Sequence, residues 1–251
     1  MNKFNQQAIV DISTRASEKF NKEKTKKKTK KLLKKIRNLQ KVFFASKQQA
    51  LLVVLQGIDA SGKDGVINTL SKGLNITGCM VNTFKAPTEE ELSHDFLWRI
   101  QKVLPAKGMI GIFNRSHYED LLVTRVENII DDVIAQKRFQ EINAFEKDLT
   151  EKKTTILKFF LHVSKEKQAE RLQDREENPT KFWKYKAKDW QTNQKFDVYQ
   201  KMYQDALNHC NSPEWIIVPA DQNWYKEYVV AKHIYTALKA MRLSYPPKTE
   251  Q

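Results

Sequence analysis

Nine residues in this chain have the types and spacing to hold phosphate. Gly57-Ile58-Asp59-Ala60-Ser61-Gly62-Lys63-Asp64-Gly65 carries the G-x-x-x-x-G-K spacing. An apolar run from Ala50 to Gln56 precedes it, and a segment of helical character from Gly65 to Leu74 follows. Strand, glycine-rich loop and helix, in that order, form a P-loop. Gly57 and Gly62 let the backbone curl, so that N–H groups from Ala60 to Gly65 can point at phosphate oxygens. The start of the next helix adds its positive dipole end, and Lys63 adds a mobile charge for the outer phosphates. The plain alternative is a tight strand-to-helix turn.

Two acids stand in this loop. Ser or Thr usually follows the P-loop lysine and ligates magnesium; here the residue is Asp64, and Asp59 lies inside the loop. A carboxylate facing a polyphosphate repels it unless a divalent cation lies between them. Asp59 and Asp64 are therefore expected on the side of a bound Mg2+. For Asp64, a first-turn acid facing the helix dipole is an equal reading.

Further polar residues crowd the end of a later apolar run, Gly108 to Asn114. There Asn114 occupies the place of a Walker B acid, Arg115 is set to meet a phosphate, and His117, Glu119 and Asp120 follow. The carboxyl ends of buried strands are where open α/β sheets place their chemistry. His117 reads first as a structural histidine, with a functional role as the alternative. Arg171 and Arg175 are four apart on one helix face. They lead into a segment, 176–188, in which lysines including Lys181 and Lys184 alternate with aromatics. That mixture suits a lid closing over phosphates; nucleic-acid binding with base stacking is its rival.

The elements that must position these residues alternate strand and helix. Strands are expected at 50–56, 79–84, 108–114, 155–163 and 214–220. Helices are expected at 30–45, 65–74, 88–103, 129–152, from Ser164 onward, from an Asp189 cap to His209, and from Asp221 to Leu243. This pattern implies a three-layer α/β/α fold around a five-stranded, mainly parallel sheet. The 251 residues divide into a basic helical arm at 1–47, a phosphate-binding domain at 48–245 with its lid at about 170–190, and a tail at 246–251. The arm's lysine run, Lys22 to Lys31, reads equally as a solvated face or as a holder of polyanions.

Composition narrows the partners. Lys and Arg number 44 against 30 Asp and Glu, a formal charge of +14, which favours polyanions. Only Cys79 and Cys210 are present, far apart, so neither a disulfide framework nor a Cys-based zinc site is expected. No apolar run reaches membrane-spanning length, and Met1 to Asn5 open no signal-like segment, so a cytoplasmic protein is expected.

The loop around Lys63, the stretch Phe113 to Asp120, the lid around Arg175, and Val218-Pro219-Ala220-Asp221 with Trp224 together resemble the family-2 polyphosphate kinases. Lys85-Ala86-Pro87-Thr88 and His94 to Arg99 are similar as well, so the resemblance spans most of residues 30–245. It implies a thymidylate-kinase-like P-loop kinase fold with a helical lid. The implied reaction moves the terminal phosphoryl group of inorganic polyphosphate to ADP or AMP, reversibly and with Mg2+. Asp59 would bind metal, Lys63, Arg115 and Arg175 would meet phosphates, and the protein would be a homo-oligomer. Apart from the resemblance, Lys85, Arg171, Lys181 and Lys184 are expected to meet phosphates by their charge, and Glu119 and Asp120 are the candidates to face an adenine or guanine nucleotide. Many members carry an acid where Asn114 stands, so metal count and turnover are what this position bears on. An ATP-dependent nucleotide kinase and a basic nucleic-acid-binding protein are the competing readings.

Overall fold

The computed structural model describes residues 8–248. Residues 1–7 of the expected arm and 249–251 of the expected tail lie outside the described residues.

Five strands form one sheet: β1 (Ala50–Gln56), β2 (Cys79–Thr83), β3 (Ile110–Asn114), β4 (Thr154–His162) and β5 (Trp215–Pro219). Their order is β2-β3-β1-β4-β5. Every pairing is parallel, so the sheet is wholly rather than mainly parallel. β1 is buried at all seven positions, as a central strand covered on both faces must be. Its register sets Leu55 beside Asn114 on one side and beside Phe159 on the other. The loop after β1 and the residues after β3 therefore emerge together at the carboxyl edge.

Helices cover both faces. They are α1 (Lys22–Ser46), α2 (Lys63–Ser71), α3 (Glu89–Leu92), α4 (Trp98–Gln101), α5 (Glu119–Val126), α6 (Asp132–Glu151), α7 (Lys165–Glu177), α8 (Lys188–Gln194), α9 (Phe196–His209) and α10 (Asn223–Ala240). Several starts are written in the sequence as caps. Asn21, Asp131 and Ser164 each accept a bond from the third residue on. Thr88 and Glu91 close a full capping box. α1 extends back through the whole lysine run, and its Leu33, Ile36 and Phe43 enter the same core as the sheet. Residues 22–46 thus share one hydrophobic core with the rest of the chain.

Besides α1, four stretches differ from expectation. The helix drawn from Thr88 to Val103 is broken, because the Asp95 carboxylate accepts from Leu97 N at 2.9 Å and starts a fresh turn. α5 (Glu119–Val126) lies where no element is expected from the sequence. The helix expected from Ile129 begins only at the Asp131 cap. Asp189 is not a cap: it lies within α8, and the chain re-forms as α9 after Lys195.

A basic cleft at the carboxyl edge of the sheet

The P-loop is shaped by two glycines. Gly62 has φ +97°, and a Cβ there would fall 1.9 Å from Lys226 Nζ. Gly57 has φ +151°, and its Cβ would meet Leu161 O at 2.9 Å. Lys63, at the first turn of α2, folds back over the loop. Its Nζ donates to Gly57 O at 2.5 Å and to Ile58 O at 3.3 Å. Burial, with Arg115 nearby, lowers the Lys63 ammonium to about 8, although Asp59, Glu119 and Asp64 pull the other way.

The back of the loop is clamped. Arg171 from α7 donates to Ala60 O and Ser61 O, each at 2.9 Å, and to Ala220 O at 2.7 Å and Asp221 O at 3.1 Å. Gln168 Nε2 donates to Asp59 O at 3.0 Å. Lys226 from α10 donates to Ser61 O at 3.3 Å and to Asn223 Oδ1 at 2.7 Å. Its ammonium is lowered to about 7, by burial first and by Arg171 second.

In front of the loop lies a cleft of about 640 Å³. The loop contributes Asp59, Ala60, Gly62, Lys63 and Asp64; the end of β2 and the turn after it contribute Lys85; β3 and its turn contribute Asn114 and Arg115. The segment expected as a lid lines the far side with Arg175, Trp183, Lys184, Lys186 and Asp189. Arg115 holds φ +64°, a left-handed value rare for a bulky residue, while its N–H donates to Leu55 O at 3.0 Å. Its guanidinium pairs with Asp59 and lies 3.7 Å from Glu119. Burial resists ionisation of Asp59, but Arg115, Lys63 and Arg175 outweigh it and hold the carboxyl below its ordinary range. Arg175 meets Asp189 at 2.8 Å across the lid. The Asp189 carboxyl is raised, chiefly by burial and then by Asp59. Asn114 Nδ2 donates to Asp64 Oδ1 at 3.0 Å, and Lys184 Nζ lies 3.6 Å from the other Asp64 oxygen.

Some expected site residues are not brought into this cleft. Arg171 spends its guanidinium on loop carbonyls. Lys181 pairs with Asp174 at the surface. Asp120 accepts from Arg99 at 3.1 Å behind the site. Glu119 lines a small separate pocket with Arg115, Tyr199 and Tyr203, and burial raises its carboxyl despite Arg115 and Lys63. His117 is buried against Glu146 at 3.3 Å. Sequence reading passed over Lys186, Trp183 and Asp189 as cleft residues. An acid placed inside a lysine-rich lid segment was the available signal for Asp189. Lys226 gave none, because its partner Ser61 is 165 residues away.

The profile of the family described as Polyphosphate kinase 2 matches residues 19–246. The chain belongs to the polyphosphate kinase 2 family. An AMP/ADP-polyphosphate phosphotransferase from Meiothermus ruber is 43% identical over 218 residues, covering 86% of this chain and 82% of that one. An ADP-polyphosphate phosphotransferase from Rhodopseudomonas palustris is 38% identical over 229 residues, covering 86% and 79%. The crystal structure of polyphosphate kinase 2 from Arthrobacter aurescens TC1 superposes with a TM-score of 0.94 at 34% identity, over 98% of this chain and 90% of that chain.

Proposed function

We propose that this chain is a polyphosphate kinase that transfers the terminal phosphoryl group of inorganic polyphosphate to ADP or AMP. The observation that carries the reading is the cleft itself. Lys63, Lys85 and Arg115 face it from the sheet side, and Arg175, Lys184 and Lys186 face it from the lid. Two polyanions can be held there at once only if cations approach from both walls. The phosphotransferase names of the relatives point the same way.

The chemistry asks little of the protein beyond position and charge. Phosphoryl transfer runs through a loose, in-line transition state, and catalysis is mostly placement plus neutralisation. The attacking atom is an ionised phosphate oxygen, so no general base is needed. Lys63 and the loop N–H groups hold the donor phosphates, Arg115 screens the reacting group, and closure of the lid brings Arg175 onto it. Asn114 orients Asp64 without adding charge.

Asp59 and Asp64 suit a magnesium ion shared with substrate. Among the described residues no group of three acids, His or Cys forms a cage. Mg2+ ordinarily takes one or two carboxylates and fills its octahedron with phosphate oxygens and water, and two carboxylates lining one cleft meet that need. Asp59 and Asp64 would hold such an ion, which would supply positive charge to neutralise the phosphates. Both acids already have partners in the cleft, Asp59 with Arg115 and Asp64 with Asn114 and Lys184.

The same reading includes adenine or guanine nucleotides as acceptors, a cytoplasmic location and self-association into a homo-oligomer. No described helix is long and apolar enough to cross a membrane. The test is a coupled assay with long-chain polyphosphate and magnesium, offering ADP and AMP separately beside Lys63→Ala. ATP formed from ADP only with polyphosphate, and lost in the variant, is the expected result. No product with polyphosphate, but product with ATP as donor, would replace the proposal with an ATP-dependent nucleotide kinase.

A further inference from the structure

The positive charge of this chain is not concentrated in its cleft. α1 holds eleven Lys and Arg against the single acid Glu23, or +10 of the formal +14 of the whole chain. From Lys24 to Ser46 it contains no acid at all. A solvated helix face ordinarily intersperses acids four residues from its lysines, because like charges so placed repel. Lysines in a first helical turn also oppose the helix dipole. Among the described residues, only Lys26 of the α1 lysines has an acid within ion-pair distance, Glu23 at 3.3 Å. The sequence thus breaks two local rules along one helix, and among its cations only Lys26, Lys35 and Arg37 have a partner among the described residues.

The charge is also ordered. Thr25, Thr29, Leu33, Ile36, Gln40 and Phe43 are buried at helical spacing. Lys24, Lys27, Lys28, Lys31, Lys34 and Lys35 are exposed on the rest of the helix. Twenty-five residues at 1.5 Å each make a helix about 37 Å long. Its first turn stands at the cleft end of the molecule. Phe20, just before α1, packs on Tyr225 and Tyr228 with ring centroids 4.8 and 5.9 Å apart, and Lys226 between them reaches the P-loop carbonyl of Ser61. Further along, Lys35 lies 5.4 Å over the Tyr235 ring, so α1 runs beside α10 and away from the cleft.

We infer that the outward face of α1 is an exosite for inorganic polyphosphate, holding the part of a long chain that extends beyond the catalytic cleft. The inference rests on the polyphosphate-kinase reading for its occupant. A linear chain carrying about one charge per phosphate matches a long, straight row of point charges that offers no aromatic platform for bases. Lysine, which binds phosphate as a mobile point charge rather than by a fixed fork, suits a ligand that must slide as its end is consumed.

The test replaces Lys24, Lys27, Lys28, Lys31, Lys34 and Lys35 together by Gln, which keeps the helix propensity. With the full-length variant, half-saturation by long-chain polyphosphate is expected to rise about tenfold or more and to lose much of its salt dependence. Half-saturation by a short oligophosphate and by ADP stays at the wild-type value. In a second arm, direct binding of long-chain polyphosphate is measured in Lys63→Ala; binding should persist there and be lost when the six Gln changes are added. The proposal is overturned if the Gln variant handles long chains like the wild type, or loses short and long chains equally. It is also overturned if duplex DNA or anionic vesicles of equal charge displace polyphosphate from the Lys63→Ala protein as well as polyphosphate itself does. If the wild type accepts no polyphosphate as donor, the proposed function fails, and the binding arm alone decides the exosite.

Discussion

Asn114 donates its side-chain amide to the Asp64 carboxylate across 3.0 Å, joining the end of β3 to the first turn of α2. The pair is neutral plus negative, so it stands without a metal. Replacing Asn114 by Asp sets two carboxylates against each other at the same distance. At the partly exposed dielectric of the cleft, this costs about 1 kcal/mol or a little more. N114D should therefore melt a few degrees lower than the wild type in chelator and regain the loss as magnesium is added. Melting temperature titrated against magnesium checks this, and an equal response in both proteins would count against Asp64 as a metal-side group.

Lys63 sets an alkaline limit. Its folded pKa of about 8 lies below the ordinary 10.5 because burial and Arg115 disfavour the charge. Above pH 8 the free protein offers a neutral amine to the donor phosphates. kcat/KM should then fall about tenfold per pH unit, whereas kcat holds to higher pH because bound phosphate keeps the proton in place. A pH profile of both parameters shows the split; a kcat/KM flat to pH 10 would exclude it.

Lys226 is buried without a carboxylate in hydrogen-bond reach, and its folded pKa is about 7 against 10.5. Between those values the unfolded chain holds a proton that the folded one lacks, so stability rises with pH across that window. The penalty is complete below pH 7. Lys226→Met should stabilise the ligand-free protein on the order of 2 kcal/mol at pH 7, with the gain fading by pH 10. Its KM for phosphate substrates should rise, because Ser61 O keeps only Arg171 as a donor and the loop is held less firmly. Urea melts at several pH values, paired with kinetics, test both halves.

Gly62→Ala should be harsher. Its φ of +97° is costly for any side chain, and the new methyl would displace the Lys226 ammonium. A loss of about 1–2 kcal/mol is expected, with most of the activity. Adding Lys226→Met removes the atom that clashes worst but not the strain, so stability should return only in part; complete recovery would show that φ was not the constraint.

Under the β3 turn, Glu146 accepts from Tyr118 OH at 2.9 Å and from Lys158 Nζ at 2.5 Å. Both charges are fully buried. Glu146→Gln leaves Lys158 without a counter-charge and should cost about 3–5 kcal/mol. The double change Glu146→Leu with Lys158→Met should recover most of it. Thermal melts of the single and double variants suffice, and equal losses would mean that shape rather than charge holds the site.

The frame was legible because its signals are local. β1, β4 and β5 fall within a residue or so of expectation, since continuous apolar runs have few other uses in an α/β chain. Thr88 with Glu91 and Ser164 are caps that a few residues announce. Lys63, Asp59, Asn114 and Arg115 were found together because two strand ends in register must deliver them together. What stayed hidden depends on distant partners. Arg171 looks like any phosphate-binding arginine until its bonds to Ala60 and Ser61, 111 and 110 residues away, are seen. Asp120 looks like a cleft acid until Arg99 claims it.

Arg171 has one more consequence. By tying α7 to the P-loop and to the β5 loop at once, it divides that helix into an anchored root and a free limb. Arg175 sits one turn farther out, where its recorded ion pair is with Asp189 of the lid itself. The two arginines therefore do separate work on one helix face: Arg171 holds the loop from behind, and Arg175 faces the cleft in front. The shape of the cradle under the phosphates is thus fixed by bonds that none of the cleft-facing cations has to make.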